Sequence, residues 1–247
     1  MIRRLSHGLR HKFQRVAEIR RSFGTAAVLQ WTASLAAYKL MNLEVTNIVW
    51  LDLDHLNLPG QPEPEFTFRF LTPEEVRDFA HDPENRLSPE RVESAETGRH
   101  LCFAALAGER LAAYGWYALE STGLDLNYGV ALAYPSDVAC MYDGFTHPDF
   151  RGKRLHGFCM GYALQGLAAY GVDKLVSTVH WCNWPSLRSC WRLGYIDLGR
   201  VATYGPGNRR FAHIPRLARE HGIQVGPEAE RRDPERCRPR QACEPCL

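Results

Sequence analysis

Residues 136–180 narrow the choice of fold more than any other part of the chain. "SDVACMYDGF" is an apolar run of strand length, "GKRLHGFCMGYALQGLAAYG" is a helix of about twenty residues ended by Gly171, and "DKLVSTVH" is a second strand. Two strands joined by such a helix lie side by side as a parallel pair, with the helix packed across one face in a right-handed crossover. Everything else must be arranged around that unit.

Upstream of it, "FTFRFL" alternates as a strand. "TPEEVRDFAHD" opens a helix with Thr72 as N-cap, Pro73 at the first helical position and Glu75 closing a capping box, and "SPERVESAE" repeats the device from Ser88. "HLCFAALAGERLAAYGWYALE" is two strands about a tight turn at 107–110. Downstream, "WPSLRSCWRLG" is a short helix, and "YIDLGRVATYG" and "NRRFAHI" are strands. Hairpins followed by crossovers predict an α/β (α+β) fold. Its centre is a mixed, mostly antiparallel sheet of about seven strands with helices on both faces.

The Pro- and Gly-rich linker "HLNLPGQPEPE" marks a boundary near residue 62. It separates an N-terminal extension, residues 1–62, from a domain at 63–225. The extension also contains a strand, "LEVTNIVWLDLD". Past residue 225 the charged, Pro-rich tail to 247 reads as disordered.

Charge is distributed unevenly. Residues 1–21 hold seven Arg and Lys against Glu18 alone, so a basic arm precedes a mildly acidic body although the whole chain carries only +2. An acidic body excludes a nucleic-acid-binding domain as the main reading. Ile2, Leu5, Leu9, Phe13, Val16, Ile19 and Phe23 recur at helical spacing, so the arm is an amphipathic helix with one basic face. Through residues 1–23 it suits peripheral contact with an anionic membrane surface, or packing on the body or another subunit. "GTAAVLQWTASLAAY" follows without a charge for 15 residues, short of the about 20 apolar residues a membrane span needs. Eight scattered cysteines point to a reducing, cytoplasmic setting. Cys237, Cys243 and Cys246 lack a fourth ligand at metal-site spacing, so no metal is expected.

The chemistry concentrates at "HPDFRGKRLHGF", residues 147–158. A helix N-terminus presents unpaired N–H groups and about half a positive charge. Gly152 lets a ligand approach the main chain, while Arg151, Lys153 and Arg154 add side-chain charge. The combination suits an anion, a diphosphate best of all. His147, before a turn, reads as exposed.

This stretch, with "NWPSLRSCWRLGY" some thirty residues later, resembles the GCN5-related N-acetyltransferase (GNAT) superfamily. The first motif matches at Pro148, Phe150, Arg151, Gly152, Lys153 and Leu155, the second at Asn183, Ser186, Leu193, Gly194 and Tyr195. The resemblance spans roughly residues 65–212. It implies a splayed parallel strand pair in the sheet and acetyl-CoA as co-substrate. The diphosphate would lie on the amides from Arg151 to Gly157, including Leu155 and His156. The pantetheine arm would follow the strand edge at Phe145 and Thr146, with Asn183 and Ser186 flanking it. A free N–H of that edge would polarise the thioester carbonyl.

Two departures stand out. Arg154 and His156 occupy positions where the family has small residues, and Cys190 stands where many members place a proton-donating Tyr. Cys190 is either a thiol acid or a small core residue. The proton acceptor is expected at Asp143, on the strand beside the donor, unless that carboxylate only pairs with a basic side chain. His180 is a second candidate, or a packed histidine. Tyr142 should face the opposite side of the sheet from Asp143. Tyr114, Trp116, Tyr117 and Tyr142, with "LDLNYG", are candidate walls for a small-molecule amine, or are core. The resemblance thus implies acetyl transfer to a primary amine in a ternary complex. The alternatives are a non-catalytic acyl-CoA sensor or scaffold, and an acyl or aminoacyl transferase of cell-surface glycan synthesis.

Overall fold

The computed structural model describes residues 2–98, 100–119, 131–205 and 211–226, with residues 2–15 and 18 by backbone alone. The candidate acceptor wall "LDLNYG" and the tail with Cys237, Cys243 and Cys246 lie outside the described residues.

The elements, in chain order, begin with helix α1 (Ile2–Met41) and strand β1 (Glu44–Asp52). There follow β2 (Phe66–Phe70), α2 (Pro73–Ala80), α3 (Pro89–Glu96), β3 (His100–Ala107) and β4 (Arg110–Ala118). The strand–helix–strand unit is β6 (Val138–Thr146), α4 (Leu155–Leu167) and β7 (Lys174–His180), preceded by the two-residue β5 (Leu132–Ala133). Helix α5 (Trp184–Leu193), β8 (Ile196–Tyr204), β9 (Phe211–His213), α6 (Arg216–Glu220) and β10 (Gln224–Val225) complete the described chain.

Eight strands form one sheet in the order β2-β3-β4-β6-β7-β1-β8-β9, and β5 pairs with β10 in a separate ribbon. Every neighbour in the large sheet is antiparallel except β6 and β7, the pair demanded by the crossover. The sheet is mixed and mostly antiparallel, as expected. The linker at residue 62 does not set β1 apart, however: that strand lies between β7 and β8, with Ile48, Val49 and Leu51 fully buried. A strand apolar on both faces needs a neighbour on each side and a layer on each face, and only the interior of the sheet offers all four.

One face carries α4 and α5 over Val49, Leu51, Tyr117, Met141 and Leu175. The other is covered by α2 and α3 over Cys102, Ala104, Tyr114 and Trp116, and by α6 with the β5/β10 ribbon over Ile48, Trp50, Cys140 and Val176. The α2 capping box is present, Thr72 accepting from the Glu75 amide and Glu75 accepting from the Thr72 amide. Helix α4 is apolar nearly all round because it is covered twice. The sheet lies beneath it, and the β1–β2 connection crosses above, with Leu56 and Leu58 against Gly161. Truncating a side chain such as Met160 or Leu164 there should cost about 2–5 kcal/mol.

Helix α1 is two helices joined at Gly24, whose φ of 84° breaks the helical run. Its first half reaches α5, the Phe23 and Trp184 rings standing 5.8 Å apart. Among the described residues no helix is long and apolar enough to cross a membrane.

Candidate functional site

The pairing of β6 with β7 runs only from Val138 opposite Lys174 to Met141 opposite Ser177. Beyond it β6 continues to Thr146 along β4, and β7 continues to His180 along β1. The two strands therefore diverge, and the splay leaves one edge of residues 142–146 without a strand neighbour. Gly144 sits on that edge, and the His156 ring from the first turn of α4 lies against it: a Cβ at 144 would stand 2.6 Å from His156 Cε1. The bulk that His156 brings to the helix is thus accommodated by a glycine on the strand. Burial pushes the His156 pKa below the usual histidine value.

The turn that opens α4 keeps its donors free. Among the described residues the amides of Gly152, Lys153, Arg154, Leu155 and His156 have no protein acceptor; helical bonding starts with Gly157 and Phe158 donating to the Arg154 carbonyl. Gly152 has φ +87° with open space where a Cβ would stand. Arg154 has φ 59°, so its backbone keeps the left-handed shape a glycine would adopt freely, at about 1 kcal/mol of strain. Gly152, Arg154, Leu155 and His156 line a cleft of about 670 Å³ between α4 and α5, walled also by Thr146, Ser189 and Arg192. Arg151 and Arg154 border the cleft. Lys153 instead pairs with Glu63 at 2.5 Å and Glu65 at 2.7 Å on the β1–β2 connection, which raises its pKa. That connection closes the far wall with Asn57, Leu58 and Pro59, and Arg154 Nη1 donates to the Pro59 carbonyl at 3.3 Å.

Several expectations are corrected on the opposite face. Tyr142 and Asp143 do not face opposite sides of the sheet. The register shifts between Trp116 and Tyr117, so Met141 pairs with Tyr117 and Asp143 with Trp116, leaving Tyr142 as an extra residue. The bulge breaks simple alternation. Both side chains then meet Arg91 of α3, whose guanidinium lies 4.6 Å from the Tyr142 ring centroid and 3.4 Å from Asp143 Oδ2. His100 Nδ1 is 3.0 Å from the Tyr142 hydroxyl. Phe145 turns away from the α4 cleft toward Tyr114 and Arg86. Tyr114 and Trp116, expected as acceptor walls or as core, are core residues at 2% and 0% exposure, and among the described residues the Trp116 indole N–H has no acceptor. Tyr117 lies in the core on the α4 side, donating to the Cys159 carbonyl. His147 is buried rather than exposed: its Nδ1 accepts from the Asp149 amide, and its ring packs between Phe145 and Phe150.

Cys190 belongs to the core, and burial pushes its thiol up to about 12, which makes it a poor proton donor at neutral pH. His180 is half-buried with its pKa lowered by desolvation. Its Nδ1 accepts from the Cys182 amide, so Nε2 carries the proton beside Ser34 Oγ at 3.2 Å. The lone pair a base would use is already engaged. Asn183 precedes α5 and lines a second cleft, on the α1 side of that helix; Ser186 is half-buried. Ser189 and Arg192, which no motif singles out, line both clefts. The sequence does place them three residues apart on one helical face, but it does not say that this face is open.

No family model matches the chain, and no curated protein sequence does. Solved structures do match in shape. A Novosphingobium aromaticivorans protein described as a GNAT-family acetyltransferase aligns over 65% of this chain and 62% of its own, at 16% identity and TM-score 0.42. A GCN5-related N-acetyltransferase-like protein from Streptococcus suis aligns over 70% and 66%, at 16% identity and TM-score 0.47. The protein AAC(6')-Iy, solved with the bisubstrate analogue CoA-S-monomethyl-acetylneamine, aligns over 57% and 98%, at 15% identity and TM-score 0.46. The chain spans less than two thirds of the length of the first two. With its sheet order, its one parallel pair splayed after Met141, and its free amides opening the crossover helix, the chain has the fold of the GCN5-related N-acetyltransferase superfamily.

Proposed function

We propose that the chain transfers an acetyl group from acetyl-CoA to a primary amine of a small molecule, by direct attack within a ternary complex. One observation carries the reading: the turn from Gly152 to His156, whose amides have no acceptor among the described residues, borders a cleft that reaches Thr146 at the end of the unpaired edge of β6. Free amides and flanking guanidinium groups fit a diphosphate, and a strand edge with no neighbour fits an extended amide-bearing arm.

Bound there, acetyl-CoA would supply the activated acyl group. The chain's part is to hold and polarise. The amides of residues 152–156, with Arg151 and Arg154, neutralise the diphosphate. The free edge of residues 142–146 offers an N–H to the thioester oxygen as charge develops on it. A bond forms between the amine nitrogen and the acyl carbon while the carbon–sulfur bond breaks. One proton leaves the nitrogen and one ends on sulfur. Asp143 is the proposed proton acceptor, directly or through water. Its carboxylate also pairs with Arg91 at 3.4 Å, and its negative charge gives it a second task, to hold the incoming ammonium group.

An amine panel assayed for thiol release tests the reading. Release of CoA with at least one amine is expected, together with a loss of ten- to a thousandfold in kcat for Asp143→Asn. Binding of acetyl-CoA without turnover on any amine would leave a sensor instead. Full activity of Asp143→Asn across pH would remove that residue from the mechanism.

A further inference from the structure

The second cleft, of about 560 Å³, lies between α5 and the N-terminal helix. Its walls are aromatic and cationic: Phe23 and Trp31 from α1, Trp184, Arg188 and Arg192 from α5. Arg188 and Arg192 are four residues apart on one face of α5, where like charges repel. Among the described residues no carboxylate pairs with either. Arg188 instead lies over the Phe23 ring at 4.7 Å. Aromatic faces beside two guanidinium groups suit a planar ring that carries an anionic group.

The two clefts are joined, since Ser189 and Arg192 line both. This matters given the proposed function, on which the inference rests. A nucleotide thioester whose diphosphate occupies the first cleft has two ends. The acyl-bearing arm must go toward Thr146 and the splayed strands. The other end is an adenine ring with a ribose 3′-phosphate, a planar ring and an anion, which match the aromatic and cationic walls of the second cleft. We infer that the second cleft takes the 3′-phosphoadenosine end of the donor, with α1 supplying one wall of the donor site. The N-terminal extension is then part of the binding machinery: Trp31 and Trp184 cover the base, and Arg188 and Arg192 neutralise the 3′-phosphate.

Titration calorimetry on the full chain tests this with CoA and 3′-dephospho-CoA, which differ only in that phosphate. The wild type should bind CoA roughly ten- to a hundredfold more tightly. The Arg188→Ala/Arg192→Ala variant should bind both nucleotides alike, and no more tightly than the wild type binds 3′-dephospho-CoA, because Arg192 also borders the first cleft. Trp31→Ala, in a different element, should weaken both nucleotides about equally and keep the discrimination. Thermal melts of each variant show that it is folded. Equal binding of the two nucleotides by the wild type, or discrimination that survives the double substitution, overturns the inference while the acyltransferase reading stands. Binding of neither nucleotide by the folded wild type overturns that reading, and the inference with it.

Discussion

The His156 ring lies so close over Gly144 that a Cβ on the strand would stand 2.6 Å from its Cε1. Helix α4 and the splayed end of β6 are therefore fitted to each other through one imidazole and one missing methyl group. Gly144 is not in the left-handed region, so replacing it tests packing rather than backbone strain. Gly144→Ala should lower stability by about 1–3 kcal/mol, the usual cost of overpacking. His156→Ala added to it should restore much of that loss. Denaturant unfolding of the single and double variants measures the coupling; costs that simply add would show that the ring moves aside freely and that Met141 Cε, 2.9 Å from the same Cβ, carries the clash.

His156 also gives the stability a pH dependence. Its folded pKa lies below the unfolded value of 6.5 because burial disfavours the imidazolium. The unfolded chain then holds more protons than the folded one just below pH 6.5, and stability rises with pH in that window. His180, shifted the same way, adds to the slope. The contribution is complete above about pH 6.5 and is lost as pH falls through the lowered folded pKa. Unfolding measured between about pH 5 and 7.5 should show a shallower slope for His156→Gln than for the wild type. An unchanged slope would mean that the ring is solvated.

Lys153 turns its charge away from the cleft, toward Glu63 and Glu65 on the β1–β2 connection. Removing those carboxylates frees the ammonium for the diphosphate. Glu63→Gln/Glu65→Gln should tighten acetyl-CoA binding about two- to fivefold at low salt, and the gain should shrink as ionic strength rises. Titrations at two salt concentrations check both halves; weaker binding at low salt would show that the connection must be pinned for the cleft to form.

Cys190 should matter for packing and little for chemistry. Its thiol sits in the core under α5, at 3% exposure. Cys190→Ala should cost about 1 kcal/mol of stability through the small void it leaves, with kcat of acyl transfer within about twofold of the wild type. A fall of a hundredfold or more in kcat in a well-folded variant would instead make the thiol the proton donor to the departing sulfur.

Much of this was legible in the sequence. Apolar runs, capping residues and the glycine that ends a helix are local signals, so the β6–α4–β7 unit, the α2 capping box and the β3–β4 hairpin follow from the order of residues. The turn that opens α4 is local as well, since free amides at a helix start depend only on where the helix begins. What sits beside what depends on side chains far apart in sequence, and only the tertiary structure decided it. It drew β1 from across a Pro-rich linker into the middle of the sheet, because a strand apolar on both faces has nowhere else to bury them. It turned Tyr142 and Asp143 to the same side through one register shift set by β4. It sealed Cys190, Tyr114 and Trp116 into layers that spacing alone cannot rank by depth. It also brought α1 against α5, placing the aromatic residues of an N-terminal extension next to arginines about 165 residues away, because an apolar helix face is stabilised by whichever complementary surface the finished fold presents.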